Sequence, residues 1–242
     1  MRIESWQKNL IDDQIEKFYI DFGHEGTGAG KPWSLWPLFW GKTMEKRKDF
    51  FDRQAFSWDK ELGGEDRTHK AEEVVRWVRL TQNHSVLDVG TGTGILLPFI
   101  KEVIGTRGRL IAIDFSHKML KKAKIHESAG ENCLINASVE SFPLRSDQFD
   151  RVICFSAFPH FPNKVKALLE MVRVLKSEGR LFIAHLHSVE EINQFHQQVG
   201  GAVAHDLLPH PERIRDLMNK SGLCDVSIIN QPGKFLAQGE KI

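Results

Sequence analysis

Val86-Leu87-Asp88-Val89-Gly90-Thr91-Gly92-Thr93-Gly94 is the stretch whose residue types and spacing point most directly to chemistry. A short apolar run, a turn of alternating glycines and the start of an amphipathic stretch bring backbone N–H groups and a helix N-terminus against a ligand, and glycine lets the chain approach where a Cβ would collide. A carboxylate, Asp114, ends the next apolar run 20 residues beyond Gly94. That spacing suits an acidic side chain accepting hydrogen bonds from both hydroxyls of a ribose. A dinucleotide fingerprint needs a third glycine at position 95, where this chain has Ile95. A nucleoside without a pyrophosphate is the better match.

Histidines form a second set. His160, His185, His187, His196, His205 and His210 are six of the 11 in the chain. All lie at or beyond the ends of the fourth and fifth expected strands, and any could act as a base near neutral pH. His160 and His187 stand out as candidate catalytic residues. Ordinary polar or capping roles are the other reading, and a metal site at His185-Leu186-His187 is a weaker one, since neighbouring strand residues face opposite ways. No metal site is assigned. Cys133, Cys154 and Cys224 are scattered and odd in number, which argues against a disulfide framework or a zinc cluster, and Cys154 reads as a small buried hydrophobe.

The elements needed to hold these residues alternate. Helices are predicted over Thr68–Leu80, Ile95–Ile104, Lys118–Ser128 (capped by Ser116) and Asn163–Leu175. Strands are predicted at Val86–Val89, Leu110–Asp114, from Leu134, Arg151–Phe155 and Arg180–His185. Ser188-Val189-Glu190-Glu191 has capping-box spacing, and Pro211 and Gly222 bracket another helix. Cys224–Ile229 and Lys234–Gly239 close the chain as a strand pair. The fold class is therefore α/β, a Rossmann-like, doubly wound, mostly parallel seven-stranded sheet with an antiparallel edge and a helical aromatic cap before it. Composition changes near residue 67, dividing a Trp- and Gly-rich cap or lid region, 1–67, from a nucleoside-binding domain, 68–242.

Several classes are disfavoured. Net charge is +1, with no basic block, so nucleic acid is a poor substrate. The first 13 residues are too charged for a signal peptide, and nowhere do the roughly 18 consecutive apolar residues of a membrane span occur. The cytoplasm is expected. Gly28-Ala29-Gly30-Lys31 is not a phosphate loop, having Glu25 and Pro32 where glycine and Ser/Thr belong.

The glycine stretch resembles the first motif of class I S-adenosylmethionine-dependent methyltransferases, and the resemblance extends from about Val75 to His185. Phe149-Asp150-Arg151-Val152-Ile153 matches that family's "FD-x-V" approach to its fourth strand. Leu175-Lys176-Ser177-Glu178-Gly179-Arg180-Leu181 matches its "L-K-x-G-G-x-L" turn, with Glu178 for one glycine. The resemblance implies a methyl transfer from S-adenosylmethionine to a small-molecule acceptor. It places Asp88, Gly90, Thr91, Gly92 and Gly94 around the methionine part and the turn, and Asp114 and Phe115 at the ribose. Ser138, Val139 and Glu140 would frame the adenine, and Phe155 would close the fourth-strand end. Ser138 stands where the family usually carries an Asp; its hydroxyl can still accept from the adenine amino group, or Glu140 can substitute. Phe50–Asp59 resembles the family's "F-D-x-x-A-x-x-W-D" segment, a helix closing over the cofactor, with Phe51, Ala55 and Trp58 on one face and Trp58 able to stack on the sulfonium. Upstream, Trp33, Trp36, Phe39 and Trp40 would make a lid or homodimer contact if exposed, and mere packing if buried. A non-catalytic S-adenosylmethionine-binding partner protein is the alternative reading, and a nucleotide-dependent oxidoreductase a weaker one.

Overall fold

Short apolar runs separated by amphipathic stretches build one seven-stranded sheet, in the order β3-β2-β1-β4-β5-β7-β6. The structure is a computed structural model that describes residues 36–56, 64–126 and 132–242, with side chains from 45–56, 69–125 and 133–242. Trp58, Trp33 and Gly23–Gly30 lie outside the described residues, as do the side chains of Trp36, Phe39 and Trp40. By contacts the chain forms two units, Met1–Lys42 and Thr43–Ile242. The compositional change near residue 67 is thus a different division: 43–67 belongs with the larger unit.

The elements are α1 (Trp36–Gln54), α2 (Gly64–Trp77), β1 (Ser85–Val89), α3 (Leu97–Ile104), β2 (Arg109–Asp114), α4 (His117–Ala123) and β3 (Asn132–Asn136). They continue with β4 (Phe149–Phe155), α5 (Lys164–Val174), β5 (Leu175–His185), α6 (Val189–Val199), α7 (Pro211–Lys220), β6 (Leu223–Gln231) and β7 (Lys234–Lys241). Strands β1 to β5 pair in parallel. Helical crossovers allow this by returning the chain to the same sheet end. β7 runs against both β5 and β6, inserted between them, so the late hairpin supplies the antiparallel part and β6 the edge.

Caps fall where short polar side chains precede apolar periodicity. Ser116 Oγ accepts from the Met119 N–H at 3.2 Å, Asn163 Oδ1 from Lys166 at 2.9 Å, and Ser188 and Glu191 form the reciprocal capping box. Such a cap contributes about 1 kcal/mol. Asp150, the acidic residue of the fourth-strand motif, accepts from Ser85 N–H at 2.7 Å and pairs with Lys176 at 2.8 Å, locking the start of β1 to β4 and β5. The core lies between the sheet and its helices, with Val86, Leu97, Ile100, Ile104, Ile153 and Phe182 essentially solvent-free. α1 begins upstream of the predicted helix, at Trp36, with Pro37 in its first turn where a missing N–H costs nothing. Its Phe51 and Ala55 are buried with Met119 and Val203, which seats the helix by one apolar stripe.

Candidate active site

A crevice of about 880 Å³, open to solvent, lies outside the carboxyl ends of β1, β2 and β4, where the strand order reverses. Gly90, Thr91, Gly92, Asp114, Phe115, Ser138, Val139, Phe155 and His160 all line it. Asp88, Gly94 and Glu140 do not, and His187 is exposed away from it.

The glycine turn departs from the expected donor surface. Gly90 and Thr91 N–H groups donate to the Ile113 carbonyl at 2.8 and 3.0 Å, Gly94 N–H to Thr91 O at 2.9 Å, and Gly92 N–H to Asp114 Oδ2 at 2.9 Å. These four donors are spent inside the protein. A pyrophosphate loop needs them free, so the turn offers shape rather than donors. Close approach explains two of the glycines. At Gly90, with φ +72°, a Cβ would sit 2.4 Å from the Ala157 Cβ. At Gly94, with φ +81°, it would meet Ala123 and Leu97 at 2.9 Å. The first lets the loop after β4 close against the turn; the second lets α4 pack on it.

Asp114 is buried at the end of β2, its Oδ1 accepting from Ser116 N–H at 2.8 Å and its Oδ2 from Gly92 N–H. Both oxygens are therefore aimed by backbone, and each keeps lone pairs for the crevice. Burial raises its pKa to about 6, the two N–H bonds opposing and nearby Asp52 adding to the rise. Asp88 lies behind the turn, solvent-free, and neither of its carboxylate oxygens has a hydrogen-bond partner among the described residues. Burial, with Asp114 adding, pushes it to about 7.

The loop after β3 forms the next wall. Asn136 Nδ2 and Ala137 N–H both donate to the Asp114 carbonyl, tying this loop to the end of β2. Ser138 Oγ accepts from Glu140 N–H at 3.2 Å and faces the crevice. Glu140 turns away: its carboxylate accepts from Asn163 N–H at 3.0 Å, joining this loop to the start of α5. α1 closes the opposite side. Phe51 lines the crevice and meets Phe115 edge-on at 5.7 Å, and Asp52 accepts from Ser116 Oγ at 2.5 Å and Lys118 N–H at 3.4 Å. The acidic residue of the "F-D-x-x-A" segment thus fastens α1 to the N-terminus of α4.

At the far end, in the short helical turn Phe158–His160, His160 Nδ1 lies 2.9 Å from Asp206 Oδ2. Arg47 donates to the same carboxylate through Nε at 3.0 and 3.2 Å and through Nη2. Asp206 is solvent-free; burial opposes its ionisation, but His160 and Arg47 hold it below the usual carboxylate range. His196 is buried beside His160, ring centroids 4.8 Å apart, and its Nδ1 is 2.5 Å from the Asp206 carbonyl. His185 is buried at the end of β5, its Nε2 without a partner among the described residues, and burial and the neighbouring imidazoles lower it to about 3. Lys164 donates to the Pro159 and Phe161 carbonyls, and burial lowers it to about 8. Among the described residues no three His, Cys, Asp or Glu side chains are placed to hold a metal. Arg47 and Asp206 escape sequence reasoning. Asp206 falls among the histidines after the fifth strand, but nothing in its local pattern marks it as buried; Arg47 is one of several basic residues on an amphipathic helix.

Comparison with known proteins agrees with this architecture. A family model described as a methyltransferase domain matches residues 87–183. The ubiquinone/menaquinone biosynthesis C-methyltransferase UbiE of Proteus mirabilis is 27% identical over 182 residues, covering 64% of this chain and 72% of that one. The Vibrio vulnificus protein of the same name is 29% identical over 178 residues, covering 63% and 68%. Among solved structures, the fold matches a chain from the complex between the Haloferax volcanii Trm112 methyltransferase activator and a methyltransferase (TM-score 0.65, 20% identity, 78% of this chain and 96% of that one). It also matches an S-adenosylmethionine-dependent methyltransferase of Aquifex aeolicus (TM-score 0.58, 21% identity, 71% and 89%). A turn that keeps its N–H groups to itself, an aimed carboxylate one strand on, and these relatives agree: residues 87–183 match a methyltransferase domain, and the chain is similar in sequence and fold to S-adenosylmethionine-dependent methyltransferases.

Proposed function

We propose that the chain methylates a small-molecule acceptor held at the Phe155–Pro162 end of the crevice, in the cytoplasm. When bound, S-adenosylmethionine supplies a methyl carbon already activated on a sulfonium; the acceptor's bond to it forms as the carbon–sulfur bond breaks, that electron pair staying on sulfur. The residues present suit this group. Asp114 would take both ribose hydroxyls, Phe115, Met119 and Val139 give an apolar wall for the adenine, and Ser138 would accept from its amino group. Gly90, Thr91 and Gly92 would border the methionine part, with Asp88 and Gly94 supporting the turn from behind. Phe155 would border the acceptor.

The single observation that carries this reading is Asp114, with both oxygens fixed by backbone N–H groups at the crevice wall. The chain's main tasks are alignment and exclusion of water. Of the two histidines singled out in the sequence, His160 is the one we take as base, because it lines the crevice and His187 does not. α1, with Phe51 on the wall, would act as a lid over this side of the crevice. Calorimetric titration with S-adenosylhomocysteine tests the reading: the wild type should bind, and Asp114→Ala should bind at least a hundredfold more weakly. Equal binding by both would overturn it.

A further inference from the structure

We infer that Asp206 and Arg47 are positioning residues for proton transfer: together they hold His160 as its Nδ1–H tautomer, leaving Nε2 to take a proton from the acceptor. This rests on the proposed function for its acceptor, but not for its geometry. Three segments far apart in sequence meet at one buried carboxylate: Arg47 from α1, His160 from the turn after β4, and Asp206 from the loop after α6. The Asp206 side chain is fully enclosed, and Arg47 and His160 are 15% and 12% exposed.

The direction of the hydrogen bond follows from charge. Asp206 is kept ionised by its two partners, and a carboxylate can only accept. The hydrogen between it and His160 is then carried by Nδ1. A neutral imidazole has one N–H, so Nε2 keeps its lone pair. No described residue engages Nε2, and the ring borders the crevice. The ring cannot easily turn, because Phe51 packs edge-on at 4.9 Å and the His196 ring lies tilted against it at 4.8 Å.

Every charged or titratable group facing His160 has a different assignment. Arg47 is committed to Asp206, Lys164 to two backbone carbonyls, and His196 to the Asp206 carbonyl; His185 is buried and off the crevice. Among the described histidines, His160 is the one that combines a carboxylate partner with a place on the crevice wall. The acceptor's proton would move to Nε2, the resulting imidazolium would be stabilised by Asp206, and water would later remove the proton. Such a base serves an acceptor that has a proton to lose, such as a hydroxyl, a thiol or an activated C–H, and does nothing for a tertiary amine.

The test is long-range proton–nitrogen NMR on the ¹⁵N-labelled full chain with S-adenosylhomocysteine, above pH 8, the His160 signals being assigned by His160→Gln. The wild type should show Nδ1–H. In Asp206→Asn, Arg47 should draw the amide oxygen to itself and leave the NH₂ facing His160, so the tautomer switches to Nε2–H. Adding Arg47→Met frees the amide to turn, and Nδ1–H should return. A merely structural contact predicts no switch in either variant. S-adenosylhomocysteine affinity should stay within about threefold throughout, since Asp114 lies at the other end of the crevice. Nε2–H in the wild type, or no switch in Asp206→Asn, overturns the inference. If the variants do not fold, the wild-type tautomer alone decides. Failure of the wild type to bind S-adenosylhomocysteine would instead overturn the functional reading, with the tautomer still measurable.

Discussion

Lowering the pH should weaken the cofactor site before it weakens the fold, and Asp114 sets where. In the unfolded chain this carboxyl titrates near 3.8; in the folded, ligand-free protein burial lifts it to about 6. The sign matters. A raised carboxyl pKa means that the group favours the fold most below about pH 4, and that this contribution disappears as pH climbs through about 6. Ligand binding has the opposite sense, because the two ribose hydroxyls proposed to bind Asp114 would donate to the ionised form. Affinity for S-adenosylhomocysteine should be level above about pH 7 and fall towards tenfold per pH unit once the carboxyl is mostly protonated, which gives about a tenfold loss at pH 5. Asp114→Asn should remove that break. It should also weaken binding by about 2–3 kcal/mol, the difference between two charge-assisted and two neutral hydrogen bonds, which is roughly 30- to 150-fold. Isothermal titration from pH 4.5 to 8 measures both. Adenosine, which keeps the diol but lacks the amino acid, is the control and should break at the same pH. Asp88 also titrates, at about 7, but it does not line the crevice, so Asp88→Asn should keep the lower break. Level wild-type affinity down to pH 5, or a break that survives Asp114→Asn, would refute the reasoning.

Other perturbations follow from contacts already described. Gly90→Ala combines a positive φ with a 2.4 Å approach to Ala157 and should cost about 2–5 kcal/mol, read by calorimetry as a large fall in Tm. Gly92→Ala, with nothing within 4 Å of its Cβ, should cost only the conformational strain, about 1–2 kcal/mol. Glu178 is exposed at φ +62°, where L side chains are strained, so Glu178→Gly should raise Tm by about 2–4 °C; a fall would count against that explanation. Asp52→Ala should cost about 1–2 kcal/mol and weaken S-adenosylhomocysteine binding by loosening α1 from Ser116. Asp52 is held below its ordinary pKa, chiefly by the Ser116 hydroxyl against the opposing effect of burial. Its stabilising contribution should therefore be present above about pH 4 and fade as pH drops through the folded value. Denaturant titrations of wild type and variant at pH 7 and pH 3 would check this.

What the sequence made legible was whatever a few neighbouring residues decide. Ser116, Asn163, Ser188 with Glu191, and Pro211 mark helix starts because capping is settled within one turn. The βα alternation and the distance from Gly94 to Asp114 place the cofactor end because each strand delivers its last residue to the same sheet edge. Elements governed by long-range pairing were less readable. β5 runs from Leu175 through the Ser177-Glu178-Gly179 stretch that reads locally as a break, because Phe149 pairs with Leu175 ahead of the Arg151–Arg180 register. β7 enters between β5 and β6, which strand propensity cannot foresee. The glycine turn was read as a donor surface, and the Ile113 carbonyl that takes two of those donors is on another strand. Likewise the acceptor end brings together positions 47, 160, 185, 196 and 206, and no window of sequence contains that cluster.

The 159-residue separation between Arg47 and Asp206 has a consequence for biosynthesis. The residues proposed to contact the nucleoside, Asp114, Phe115, Ser138 and Val139, all precede position 140 in the chain, whereas Asp206, the carboxylate proposed to aim His160, is made among the last residues. The proposed orientation of His160 therefore waits until the last third of the chain has been made and has closed back onto α1.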